Sequence, residues 1–139
     1  KEDDASVILR AKIITEMKKP IPGLAVSVHS GGAQNDRNVS VVVAQAADEL
    51  LTMNDIHVSA VLNESDDGVS ISARSDGSVN VQTMMEELGG GGHQTVAGVQ
   101  IKGAKAEDLI PKIIEMAKEQ MKESDSDEGN SAEGRKEVG

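Results

Sequence analysis

Apolar residues recur along this chain with two periods, one helical and one extended, and the switches between them lay out the elements. Leu9, Ile13 and Met17 repeat at helical spacing behind Asp3 and Asp4, and Lys18, Lys19 and Pro20 close the run, so a helix is predicted from Ala5 to Lys19. The turn Ile21-Pro22-Gly23 leads to a strand, Leu24 to His29, in which Leu24, Val26 and Val28 alternate with Ala25, Ser27 and His29. Ser30 to Arg37 reads as a polar loop, and Asn38 is placed to cap the next segment. There Val39, Val41, Val42 and Val43 favour a strand, whereas Ala44, Ala46, Ala47, Leu50 and Leu51 favour a helix. Length decides for a helix to about Met53.

A second strand, His57 to Leu62, then makes a strand, helix, strand order, which predicts a right-handed parallel crossover. The acidic turn Asn63 to Gly68 joins it in a hairpin to a third strand, Val69 to Arg74, with Val69, Ile71 and Ala73 on one face and Ser70, Ser72 and Arg74 on the other. Asn80 is placed to cap a helix from Val81 to Leu88, whose core face is Val81, Met84, Met85 and Leu88. A fourth strand, Ala97 to Lys102, and a last helix from Asp108 to about Lys122 complete the pattern, with Pro111 in the first turn of that helix. The fold class is α/β: a single domain whose mixed β-sheet of about four to five strands is flanked by helices.

Composition narrows this picture. A chain of 139 residues, 37% hydrophobic, holds one compact domain with tails rather than two domains. From Glu123 onward six acidic side chains face two basic ones with almost nothing apolar, which predicts a disordered acidic tail over residues 123–139. The net charge of −10 repels a long phosphate backbone more than it repels a small anion. The absence of cysteine excludes disulfides and thiolate chemistry, and no apolar run is long enough to cross a bilayer. There is no Phe, Tyr or Trp, so the core must come from Val, Ile, Leu, Met and Ala, and no aromatic base-stacking platform exists. Such a composition is what an engineered or simplified sequence would have.

The candidate chemistry lies at Gly89-Gly90-Gly91-Gly92-His93, directly after the helix capped by Asn80. A helix C-cap uses one glycine. Further glycines suit a backbone that approaches another body closely or gathers amide donors into a nest for an anion, and a histidine at the exit adds a polar ring. Arg74 precedes the run by fewer than twenty residues, and phosphate sites commonly combine a guanidinium with backbone amides. Other motifs fail: Gly103-Ala104-Lys105 is not a Walker loop, and Gln94 stands where a dinucleotide fingerprint beginning at Gly89 needs glycine. The three histidines have no acidic partners nearby in sequence, so no catalytic residue and no metal site is assigned in this chain.

The block Val69-Ser70-Ile71-Ser72-Ala73-Arg74-Ser75-Asp76-Gly77-Ser78-Val79-Asn80-Val81-Gln82, continuing through Glu86-Glu87-Leu88 and Gly89 to His93 into Ala97-Gly98, resembles the DHHA1 domain of DHH-family phosphoesterases. The likeness is greatest to that of the GdpP-type cyclic-di-AMP phosphodiesterases. The helix Val43 to Leu51 resembles the helix upstream in the same proteins. The resemblance implies residues 1–19 as a connecting helix from a DHH domain, 20–122 as the DHHA1 domain and 123–139 as the tail. It implies manganese in the DHH domain and none here, so that this piece is inactive alone, and a cyclic dinucleotide or short oligonucleotide as partner. It also implies no membrane contact in this piece and a cytoplasmic position in membrane-tethered relatives. It carries the binding role to Arg74, Ser75, Asn80, Gly90, Gly91, Gly92 and His93: Arg74 and His93 for phosphate and base, the glycine amides for phosphate, and Asn80 to order the loop. At Ala60, where relatives often carry an aromatic, and at Val96, where they often carry alanine, the chain departs from the family pattern. Three functions compete: a dinucleotide-binding domain, a nucleic-acid module of exonuclease or tRNA-synthetase type, and an aromatic-free scaffold without activity.

Overall fold

The computed structural model describes residues 1–31 and 36–138, with side chains as far as Glu123 in the last helix. Its elements run α1 (Asp4–Thr15), β1 (Lys18–Ile21), β2 (Leu24–Ser30), α2 (Arg37–Leu50), β3 (Val58–Ser65), β4 (Gly68–Ser75), α3 (Val81–Glu87), β5 (Gly91–Gly92), β6 (Val96–Lys102) and α4 (Ala106–Val138). The α/β expectation holds. The six strands form one mixed sheet in the order β1-β2-β3-β4-β6-β5. β2 and β3 are parallel, joined through α2 as the strand, helix, strand pattern required, and the other neighbours are antiparallel.

Strand alternation sends residues to two different cores. Leu24, Val26, Val58, Ala60, Leu62, Val69, Ile71, Ala73, Ala97 and Val99 pack with Met84 and Met85 of α3 and Leu109, Ile113 and Ala117 of α4. On the opposite face Ala25 and Val61 meet Ile13 of α1 and Val42, Val43, Ala46, Ala47 and Leu50 of α2. Two buried serines fasten these last helices to the sheet. Ser27 Oγ donates to Ile13 O at 2.6 Å and Ser59 Oγ to Ala47 O at 2.7 Å, each reaching a carbonyl in the last turns of a helix. Ala60, buried in the first core, needs no aromatic bulk because methionines and α4 fill the layer beside it.

Several boundaries differ from the sequence reading. The first helix stops at Thr15, and Lys18–Ile21 forms an edge strand that turns through Pro22-Gly23 into β2. Pro20 is compatible with an edge, where a missing ladder donor costs nothing, although the same Lys-Lys-Pro run also reads as a helix end. Asp36, not Asn38, caps α2, its carboxylate accepting from the amides of Asn38 at 2.9 Å and Val39 at 3.3 Å. Residues 32–35 of the predicted loop lie outside the described residues. α4 begins at Ala106, two residues before the predicted start, because the Glu64 carboxylate reaches across from β3 to accept the Ala106 N–H at 2.6 Å. Pro111 therefore falls inside the helix rather than in its first turn. The backbone of α4 is helical through Val138, where the sequence reads a disordered tail, and extending a helix already nucleated costs less than starting one.

Residues far apart in sequence also meet. His57 Nδ1 and Asp76 Oδ2 lie 2.6 Å apart, joining the residue that leads into β3 with the turn after β4. Partial burial alone would raise the Asp76 carboxyl, but hydrogen bonds from Ser78 and His57 outweigh it and hold the group below the usual carboxylate range. A depressed carboxyl stabilises fully above its unfolded pKa and loses that contribution as pH falls through the folded value. Asp76→Asn is thus expected to lower Tm at neutral pH and to flatten its decline below about pH 4, measured by thermal melts across a pH series.

Among the described side chains of α4, which run to Glu123, the last fully buried is Ala117, followed by the partly buried Met121. Removing residues 124–139 is accordingly expected to leave Tm unchanged, and a fall of several degrees on truncation would show that this segment packs.

Candidate functional site

The glycine run is a cap followed by a strand. Asn80 Oδ1 accepts from Thr83 N at 3.1 Å and starts α3, as predicted. At the other end Gly89, with φ +93°, donates to Glu86 O at 3.0 Å, and Gly90 donates to Met85 O at 2.7 Å. That pair of bonds is a Schellman closure. Gly91 and Gly92 then pair with Gly98 and Ala97 of β6, at the sheet edge. A Cβ on Gly90 would stand 2.2 Å from Gly98 O, and one on Gly92 would stand 2.5 Å from Ala97 Cα. Close approach to β6 therefore requires these two glycines. Gly91 is different: a Cβ there meets nothing within 4 Å.

This geometry corrects the expected nest of three amides. The Gly90 N–H is spent on Met85 O. Antiparallel partners alternate between pairs that exchange hydrogen bonds and pairs that do not. His93 N–H donates to Val96 O at 2.6 Å, so Gly91 opposite Gly98 falls on a bonded step and Gly92 opposite Ala97 on an unbonded one. Of the three, the Gly92 amide is the one that faces outward from the edge.

Arg74 lies on the face of the sheet that carries α2. It stands opposite Val96 in the register, and Val96 stands beside His93, so Arg74, Val96 and His93 form one row across β4, β6 and the strand edge. At one strand spacing per step, Arg74 and His93 are about 10 Å apart. The arginine is not a solvated side chain. Only 11% of it is exposed; Nε donates to Asp48 Oδ1 at 2.8 Å and Nη1 to Ala73 O at 2.9 Å, and Nη2 has no partner among the described residues. Asp48, on α2, comes into reach because Ser59, the register partner of Arg74, is bonded to the neighbouring Ala47 carbonyl. Val96 is 44% exposed and β6 stays in continuous register with β4, so valine here does not shift the strand.

Two predicted site residues stand elsewhere. Ser75 points to the opposite face, buried, with Oγ donating to Val79 O at 2.5 Å and accepting from Gly77 N at 3.0 Å. It shapes the turn after β4, since alternation puts Arg74 and Ser75 on opposite sides. Asn80 is a helix cap; it acts on the loop through α3, whose first amide, Val81 N–H, donates to Gln94 O at 3.0 Å. Asp48 is not legible in the sequence, because no local pattern marks a mid-helix acid as the partner of an arginine 26 residues away.

Beyond this row the same face opens into a groove of about 500 Å³ lined by Ser40 of α2, Ser70 and Ser72 of β4, Gly98 and Gln100 of β6, and Gly90. Among the described residues no three His, Asp or Glu side chains converge as metal ligands. No helix of the described residues is long and apolar enough to cross a membrane.

The two kinds of glycine separate experimentally. Gly90→Ala is expected to cost about 1–3 kcal/mol of stability by overpacking, whereas Gly91→Ala should melt as the parent does. Equal melting temperatures for the two variants would contradict the close approach at Gly90.

Residues 23–123 match the DHHA1 domain. The chain is 43% identical over 102 residues to the cyclic-di-AMP phosphodiesterase GdpP of Geobacillus thermodenitrificans, covering 73% of this chain and 15% of that protein. It is 37% identical over 115 residues to the cyclic-di-AMP phosphodiesterase PdeA of Listeria monocytogenes, covering 82% and 17%. It thus spans about one sixth of the length of these relatives. An exopolyphosphatase-related protein from Bacteroides fragilis shares the fold, with a TM-score of 0.75 at 16% identity over 90% of this chain and 37% of that one. The matched span and the sequence identity to phosphodiesterases agree, and the chain belongs to the DHHA1 domain family.

Proposed function

We propose that this domain binds a dinucleotide through its phosphate at the row formed by Arg74, Val96 and His93, and that it does not hydrolyse the ligand by itself. The observation that carries this reading is the register that aligns Arg74, Val96 and His93 in one row on the α2 face, with the outward amide of Gly92 next to His93 at the sheet edge. Nη2 of Arg74 and the Gly92 N–H are donors suited to phosphate oxygens, while His93 is exposed and able to donate or to lie against a base. Two of the relatives are named as cyclic-di-AMP phosphodiesterases, which favours a diadenosine dinucleotide. Hydrolysis with manganese would fall to a separate DHH domain, because two-metal chemistry needs a cluster of carboxylates and imidazoles.

Asp48 sharpens the test. It holds the guanidinium in place, yet its own charge opposes an incoming anion. Arg74→Ala is expected to weaken binding of cyclic-di-AMP and of the linear dinucleotide by roughly ten- to a hundredfold, the worth of a charge-assisted hydrogen bond. Folding should suffer by no more than about 1 kcal/mol, since Asp48 is 64% exposed and such pairs contribute little. Asp48→Asn should incur a similar folding cost and yet bind at least as tightly as the parent. Calorimetric titration of the three proteins, with a single-stranded oligonucleotide as a further ligand, decides the matter. Preference for the oligonucleotide would favour the nucleic-acid reading, and unchanged affinity in Arg74→Ala would move the phosphate elsewhere.

A further inference from the structure

The rows of side chains on the α2 face differ in a way that the phosphate site leaves unexplained. Two residues along each strand from Arg74, Val96 and His93 comes the row Ser72, Gly98 and Gly91, which has no large side chain. Gly98 cannot have one: a Cβ there would lie 2.7 Å from Ile71 O. Two residues further comes a polar row, Asn63 on β3, Ser70 on β4 and Gln100 on β6. Gln100 and Ser70 are on the floor of the 500 Å³ groove, and Ser40 stands on its α2 wall. Asn63 continues the row beneath α2, 1% exposed, and neither its amide oxygen nor its nitrogen has a partner among the described residues.

We propose that this groove reads the base of the bound nucleotide, with Gln100 as the specificity-determining residue and adenine as its ligand. The inference rests on the phosphate reading above and extends it. From the Arg74 row to the Gln100 row is about 13 Å along the strands, a span that phosphate, ribose and base fill in that order, with the ribose over the glycine row. The carboxamide of Gln100 presents a donor and an acceptor side by side, which match N7 and the 6-amino group of adenine. Ser70 and Ser72 add hydroxyls that donate or accept as needed. The buried Asn63 amide stands directly opposite Ser70, so a Ser70 hydroxyl turned toward it relieves an unpaired polar group while offering its other bonding capacity to the ligand. Hypoxanthine, which offers two acceptors where adenine offers an acceptor and a donor, fits the carboxamide with one bond rather than two.

The test is calorimetric titration of the 139-residue chain with linear diadenylate and linear diinosinate, two ligands with identical phosphates. The parent is expected to prefer diadenylate by about five- to a hundredfold. Gln100→Leu, at an exposed position, should melt as the parent does and bring the ratio near one. Gln100→Lys, with donors only, should reverse the preference, since a lysine suits paired acceptors. Arg74→Ala should weaken both ligands equally and leave the ratio intact. A parent that does not distinguish the two, or a Gln100→Leu variant that keeps the parental ratio, overturns the proposal. If Arg74→Ala leaves both affinities unchanged while the Gln100 variants move the ratio, the phosphate reading fails and the base groove stands. A parent that binds neither ligand overturns both.

Discussion

The backbone contact between the glycine run and β6 is the constraint on which the site depends. Gly90 lies so close to Gly98 and Val99, and Gly92 to Ala97, that no side chain fits at either position. That contact seats β5 against β6, sets His93 beside Val96, and so determines which face of the edge His93 shares with Arg74. It also fixes the end of α3, because the amide of Gly90 that closes the helix belongs to the residue pressed against β6. Helix cap, edge strand and candidate site are therefore one mechanical unit. Gly91, in the middle, has open space around its Cα.

If the domain binds phosphate as proposed, so acidic a chain needs its positive charge held in place. With a net charge of −10, the long-range field disfavours phosphate, and binding must come from short-range donors in fixed geometry. The Asp48 carboxylate supplies the geometry by fixing Nε of Arg74, and the Ala73 carbonyl fixes Nη1. What remains on the guanidinium is a single preoriented Nη2 with no partner among the described residues. This arrangement gives up some attraction in exchange for a guanidinium that loses little rotamer freedom on binding.

The elements with strong periodicity are legible in the sequence, and those governed by tertiary contact are not. β2, α2, β4 and α3 emerge from alternation or helical spacing, and Asn80 as a cap follows from its place before an apolar run. β1 is four residues with no alternation at an edge, so its Lys-Lys-Pro sequence cannot announce a strand. The start of α4 depends on Glu64, 42 residues upstream, and the site depends on Asp48, 26 residues from Arg74. The glycine run reads as more than a turn, but its amides cannot be apportioned without knowing that two glycines are consumed by a cap and two by a strand. Adjacency groups Ser75 with Arg74, whereas the period of a strand separates neighbours onto opposite faces.

That same period allows the sheet to carry its core and the proposed binding face on one set of strands. On β4, Val69, Ile71 and Ala73 enter the core beneath α3 and α4, while Ser70, Ser72 and Arg74 alternate with them on the other side. On β6, Ala97 and Val99 belong to that core while Val96, Gly98 and Gln100 face outward with the serines. A side chain on the binding face can change its hydrogen-bonding character without displacing a buried neighbour, because the two sets share only the backbone. The exceptions are the glycines, where the backbone itself is the contact surface. There a substitution shifts core and face together, so under the proposed reading the freedom to alter recognition is concentrated at Arg74, His93 and Gln100, with the glycine frame held constant.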